Sequence, residues 1–160
     1  SGGYLSRDDG QTWSHALPDM ALFFNGESIV AEPNHPDTIY VGALYNRQNP
    51  RDIFFRSFDR GRTWSRILIP AITQGAGFCT VVAAGGGILL GGAGTQGRIF
   101  RSTDYGSNWT QVYQVSNPQS EIPKISTAKR NDRTIYAAVQ SLSPSTQRRR
   151  SLSRLTGRCR

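Results

Sequence analysis

"SRDDGQTW" occupies Ser6 to Trp13, "SFDRGRTW" occupies Ser57 to Trp64, and "STDYGSNW" occupies Ser102 to Trp109. All three share Ser-x-Asp-x-Gly-x-x-Trp, and every tryptophan of the 160-residue chain stands at its last position. The boxes begin 51 and then 45 residues apart, so two steps make 96. A second marker, Thr-Ile-Tyr, occurs at Thr38–Tyr40 and Thr134–Tyr136, again 96 residues apart. Two unrelated markers with one spacing define an internal repeat of about 48 residues.

Each repeat reads as four short strands rich in Val, Ile, Phe and Tyr, bounded by Gly, Asn, Asp and Pro. In the second repeat these are "SIVAE", a turn at Pro33–Asp37, "TIYVGAL", "IFFRSF", the box, and "TWSRILI". In the third they are "FCTVVAA", a turn at Gly85–Gly87, "ILLGGA", "RIFRST" and "NWTQVYQV". The first repeat shows only its last two strands and the fourth only its first two. No 3.6-residue apolar pattern of useful length exists, which excludes a helical solenoid. The expected fold is all-β: a β-propeller fragment of about three four-stranded antiparallel blades, in an incomplete ring. The reading divides it into a half blade at 1–20, blades at 27–70 and 78–115, and a half blade at 122–140.

The box residues have local work to do at the hairpin between the third and fourth strands. Asp8, Asp59 and Asp104 are placed to accept hydrogen bonds from turn amides ahead of them. Gly10, Gly61 and Gly106 supply the positive φ of a tight hairpin. The hydroxyls of Ser6, Ser57 and Ser102 bind the same turn. Trp13, Trp64 and Trp109 start the fourth strand and bury a large apolar area at the blade's base. Such a turn supplies too few oxygens to hold calcium unaided.

These boxes resemble the Asp-box, or BNR, repeat, and the likeness is complete at Ser, Asp, Gly and Trp in all three. The resemblance covers residues 1–140 and implies a propeller of the sialidase, xyloglucanase and sortilin-like type. In such proteins the box is a turn device away from the active face. The resemblance therefore implies two functions: scaffold and partial binding face of a carbohydrate-active protein, either glycoside hydrolase or sialidase-like, or a non-enzymatic protein-binding propeller of the sortilin or photosystem II assembly-factor type. It also implies an extracellular or periplasmic origin. The fragment by itself is expected to lack activity.

A ligand, glycan or protein, is expected at the loop face opposite the boxes. The segment "LYNRQNPRD" gathers Tyr45, Asn46, Arg47, Gln48, Asn49, Arg51 and Asp52, a mixture suited to hydrogen-bonding a sugar or a carboxylate. A solvated polar loop would have the same composition. Phe23 and Phe24 are either a stacking platform for a sugar ring or a pair packed on two sides of a strand. Glycosidase chemistry needs two carboxylates on one cleft. Asp19, Glu27, Asp52 and Glu121 fall near the loop face, but no catalytic set can be assigned, nor the three arginines that a sialidase would need, since the early Arg-Ile-Pro type of segment is absent. His15 and His35 have no second ligand or nucleophile at a recognisable spacing. The reading calls for no metal and no cofactor.

The net charge of +8 misleads as a property of the whole chain. Residues 141–160 hold six arginines and no acid, leaving 13 basic against 11 acidic residues in 1–140. No nucleic-acid footprint is expected on the folded body, and no stretch is long and apolar enough to span a bilayer. The fourth repeat should place a box near residue 150, yet the sequence there is "QRRRSLSRLTGRCR". Residues 141–160 are expected to be a disordered basic extension, a non-native end, or an arm for an acidic partner, with the remaining blades missing. Cys79, in "GFCTVVAA", reads as a small core residue, and two cysteines make no disulfide framework. Any binding to nucleic acid should fall steeply with salt and vanish when residues 141–160 are deleted, as measured by fluorescence anisotropy at 50 and 200 mM salt.

Overall fold

The computed structural model describes residues 3–17, 29–43, 53–69, 78–93, 96–128 and 134–141. Among them every regular element is a strand. Four strands, β3 (Ile29–Glu32), β4 (His35–Ala43), β5 (Ile53–Ser57) and β6 (Ser65–Leu68), form one antiparallel sheet in chain order. A second sheet of the same kind holds β7 (Phe78–Gly85), β8 (Ile88–Ala93), β9 (Arg98–Ser102) and β10 (Thr110–Gln114). Two-stranded pairs flank them, β1 (Tyr4–Leu5) with β2 (Ser14–His15) and β11 (Ser120–Thr127) with β12 (Ile135–Ser141). This is an all-β arc of propeller blades: a half blade, two whole blades and a half blade.

Pleating explains how a blade joins its neighbours, because alternate residues of a strand face opposite ways. Val81, Leu89 and Phe100 of the third blade pack with Tyr40 and Phe54 of the second. Their chain neighbours Val82, Leu90 and Ile99 turn the other way and pack with Ile122 and Ile125 of β11. β7 and β8 are therefore buried on both faces, whereas the outer strand β10 is exposed along its length. These two strands read as nearly continuous apolar runs for that reason, as strands covered on two sides do. Gly91 and Gly92 of β8 are part of this fit, since a Cβ would fall 2.4 Å from Phe78 and 2.7 Å from Ile122.

The first hairpin of the second blade is tighter than the Pro33–Asp37 turn expected from sequence. β4 already begins at His35, leaving Pro33 and Asn34 in the turn, with Asn34 at φ 65°. Asparagine tolerates this left-handed conformation, so two residues suffice. The matching turn of the third blade has positive φ at Gly85, Gly86 and Gly87. Cys79 is buried in β7 and is not a free thiol.

Polar links cross the apolar interfaces. Glu32 is buried and accepts hydrogen bonds from the Tyr40 hydroxyl at 2.9 Å and from the backbone N–H of Gly87 in the next blade at 3.1 Å. Burial, and then the bond to Glu32, push the Tyr40 phenol well above its ordinary range. Between the third and fourth blades, the Ile125 N–H donates to Thr80 Oγ1 at 3.4 Å. Nothing in the residues around Glu32 marked it beforehand as more than a strand end.

Removing the Glu32 carboxylate would leave a buried hydroxyl and a buried N–H unpaired. Glu32→Ala should therefore destabilise the chain by about 2–4 kcal/mol, whereas Tyr40→Phe should cost only about 1 kcal/mol. Urea denaturation followed by intrinsic fluorescence checks both values.

Candidate functional site

Two ends of the blades could carry function, and the structure gives them different chemistry. The box turns share an end with the first hairpins. Arg60 N–H donates to the Asp37 carbonyl at 2.9 Å, and Tyr105 N–H donates to the Gly87 carbonyl at 3.0 Å. At each box the serine oxygen accepts from the glycine N–H, at 2.8 Å for Ser6–Gly10, 2.8 Å for Ser57–Gly61 and 2.9 Å for Ser102–Gly106. The same hydroxyls donate to Asp8, Asp59 and Asp104, each at 2.8 Å. Two consecutive residues have positive φ in every box, Asp9–Gly10, Arg60–Gly61 and Tyr105–Gly106. That is the φ pattern of a primed hairpin turn.

The seventh box position adds a contact that the Ser-Asp-Gly-Trp pattern leaves out. Thr12, Thr63 and Asn108 each donate both a backbone N–H and a side-chain hydrogen to the box aspartate. The available signal was that this position holds a short side-chain donor three times out of three. Each carboxylate is thus filled by its own turn. Bonds from the Thr12 hydroxyl, the Thr12 N–H and Ser6 bring Asp8 down to about 2, and Thr63 and Ser57 do the same for Asp59. Burial would raise Asp104, but the amides of Asn108 and the Ser102 hydroxyl outweigh it and lower the group. A carboxylate held this way is a poor proton donor near neutrality and has little lone-pair capacity left for a ligand.

The tryptophans continue this structural chemistry unevenly. All three indole N–H groups donate to the carbonyl of the box glycine, at 3.0, 3.2 and 3.0 Å. Trp109 is also wedged between blades, with its ring 5.3 Å from Phe54 and 4.7 Å from Phe78. Trp64 is half-buried beside Gly61. Trp13 departs from the burial expected of it and is 63% exposed, because among the described residues no blade precedes it. His15 stands edge-on to the Tyr4 ring at 5.3 Å, and His35 is exposed in β4.

At the opposite end the described residues form a packed corner. Gly97 N–H donates to the Ser120 carbonyl at 2.6 Å, and Val115 N–H donates to the Gly97 carbonyl at 3.0 Å. Gly97 has φ +52°, and a Cβ there would fall 2.9 Å from Val115. Arg98, Ser120 and Glu121 are all buried at this corner, with the Arg98 guanidinium 5.5 Å from the Phe100 ring centre. Both charges are enclosed among the strand ends and shielded from solvent. Tyr45, Asn46, Arg47, Gln48, Asn49, Arg51, Asp52, Phe23 and Phe24 lie outside the described residues, as do Asp19 and Glu27. Among the described residues no three His, Cys, Asp or Glu side chains gather to hold a metal ion, and no helix is long and apolar enough to cross a membrane.

The BNR/Asp-box repeat model matches residues 4–15 and 55–66, the strand, turn and strand built around the first two boxes. The chain carries Asp-box repeats. Beyond the boxes, this Asp-box chain is similar over 135 residues to two proteins named Xyloglucanase Xgh74A from Acetivibrio thermocellus, at 27% and 28% identity. In each case the match covers 76% of this chain and 16% of the relative, so the chain spans about a sixth of their length. Among solved structures, the Niastella koreensis GH74 enzyme aligns with 74% of this chain and 22% of that chain, at 17% identity and a TM-score of 0.45.

The depressed box carboxyls make stability depend on acid. A lowered folded-state value contributes stability that is complete above the unfolded value near pH 4 and is lost as pH falls through about 2. Thermal unfolding between pH 7 and pH 2 should show the melting temperature dropping below pH 4. Asp59→Asn should lower it at neutral pH and flatten the acid limb.

Proposed function

We propose that this chain is a scaffold and partial binding face of a carbohydrate-active propeller of the glycoside hydrolase type, with a xyloglucan-like polysaccharide as its ligand class. The supporting observation is the 135-residue similarity to the two xyloglucanases, which reaches across 76% of the chain and so extends well past the boxes. The box end is occupied by its own hydrogen bonds, which leaves the loop end to meet a ligand. Sugar contacts are assigned to Tyr45, Asn46, Arg47, Gln48, Asn49, Arg51 and Asp52, with Phe23 and Phe24 as stacking rings. A neutral polysaccharide is held by such a mixture of planar amides, guanidinium groups and aromatic faces. An extracellular setting accompanies this reading, because polysaccharides of that size are met outside the cell.

Electrophoresis of the full chain through gels containing xyloglucan tests the proposal, with reducing-sugar release measured alongside. The expected result is retarded migration without cleavage. Replacing Tyr45 and Arg47 by alanine should weaken retention roughly tenfold, the scale of one or two lost polar contacts. Unchanged mobility in xyloglucan and in other neutral or sialylated glycans would overturn it in favour of the protein-binding propeller.

A further inference from the structure

Two box positions depart from the repeat at one place in the fold. Phe58 stands one residue after its box serine, where the other boxes have Arg7 and Thr103. Tyr105 stands three residues after its serine, where the others have Asp9 and Arg60. The two belong to different blades, yet the joint between the two whole blades brings their rings together. The ring centres are 6.1 Å apart and the planes cross at 71°. Neither ring is buried: Phe58 is 53% exposed and Tyr105 37%. We infer that Phe58 and Tyr105 form a sugar-stacking platform at the box end, a second contact for a polysaccharide opposite the loop end.

The neighbours of the pair hold it in place. Arg56 donates through Nη1 to the Tyr105 carbonyl at 2.8 Å and to the Ser107 hydroxyl at 2.9 Å. Its guanidinium carbon also lies 4.6 Å from the centre of the Phe58 ring. One side chain thus ties the two box turns across the joint. Tyr105 is fixed from its own blade as well, since its N–H donates to the Gly87 carbonyl at 3.0 Å. Its ring lies so close to Gly87 that a Cβ there would fall 2.8 Å from it. Rings positioned before a ligand arrives lose little freedom when it binds.

Size and charge select the occupant. A stable protein interface covers roughly 800 Å² on each partner, far more than two half-exposed rings offer. The surface beside them is polar, with Ser107 and Asn108 both exposed. The nearest charges are engaged within the fold: Arg56 across the joint, Arg60 with Asp37, and Asp59 and Asp104 with their own turns. An uncharged ligand with one apolar face and a polar edge fits such a surface. A pyranose has that form, because its C–H face meets the negative face of an aromatic ring while its hydroxyls reach polar groups at the rim. This ligand class rests on the polysaccharide reading proposed for the loop end.

Electrophoresis of the full chain through xyloglucan gels separates the two contacts, with circular dichroism verifying that each variant keeps its fold. Phe58→Leu keeps an apolar side chain and removes the aromatic face. Tyr105→Asn removes the other ring and suits the left-handed φ of 56° at that position. Each should weaken retention about fivefold, both in the unmodified chain and in one carrying Tyr45→Ala with Arg47→Ala. Phe58→Trp should keep or strengthen retention. Retention indifferent to Phe58→Leu and Tyr105→Asn, weakened equally by Phe58→Trp, or abolished by the loop pair alone would overturn the inference. Retention that depends on the platform and not on the loop pair would support it and remove the loop contacts instead. Free migration of the unmodified chain would defeat both.

Discussion

The arc depends on a serine hydroxyl holding a turn shut. Ser57 and Ser102 are buried, and each oxygen accepts the glycine N–H of its own turn while donating to the aspartate that gathers the remaining amides. The turn residues then hold consecutive left-handed conformations, which only a saturated hydrogen-bond set makes tolerable for Arg60 and Tyr105. The tryptophan follows at a fixed distance, its N–H tied back to the glycine carbonyl. At the third box the indole then lies against the preceding blade. A turn motif thereby positions an interface.

Stacking is the second constraint, and it accounts for the uneven burial along the chain. The third blade has neighbours on both sides, and its strands alternate between two separate clusters. Among the described residues none lies on the outer side of β12, and all its residues are exposed. Trp13 and Trp109 are equivalent members of one repeat, and among the described residues a blade precedes only the second. Burial in such a fold is a property of position in the array more than of the residue.

Much of the fold was legible because the repeat announces itself twice, through the boxes and through Thr-Ile-Tyr. Strand existence, order and the location of the box hairpins follow from that spacing and from Gly and Asn between apolar runs. The tight Pro33–Asn34 turn was less legible, since Pro, His and Asp nearby all look like loop residues although β4 already contains them. Thr12, Thr63 and Asn108 were overlooked because they differ in type while sharing a donor. Glu32 could not be read at all: its partners, Tyr40 and Gly87, are 8 and 55 residues away. Ligand contacts are the least legible part, since the composition of "LYNRQNPRD" suits a solvated polar loop as well as a sugar site.

The Glu32 link also sets how the second and third blades can move. An apolar interface resists separation but offers little resistance to sliding, because one methyl contact replaces another at small cost. A buried carboxylate with a phenol on its own blade and a backbone N–H on the next has a single satisfied setting. The pair therefore shears as one block, whereas at the next boundary Ala84 stands at the equivalent position and the crossing bonds run from Ile125 to Thr80 and from Gly97 to Ser120. Sliding of the second blade on the third has to break that buried pairing before any apolar contact is exchanged.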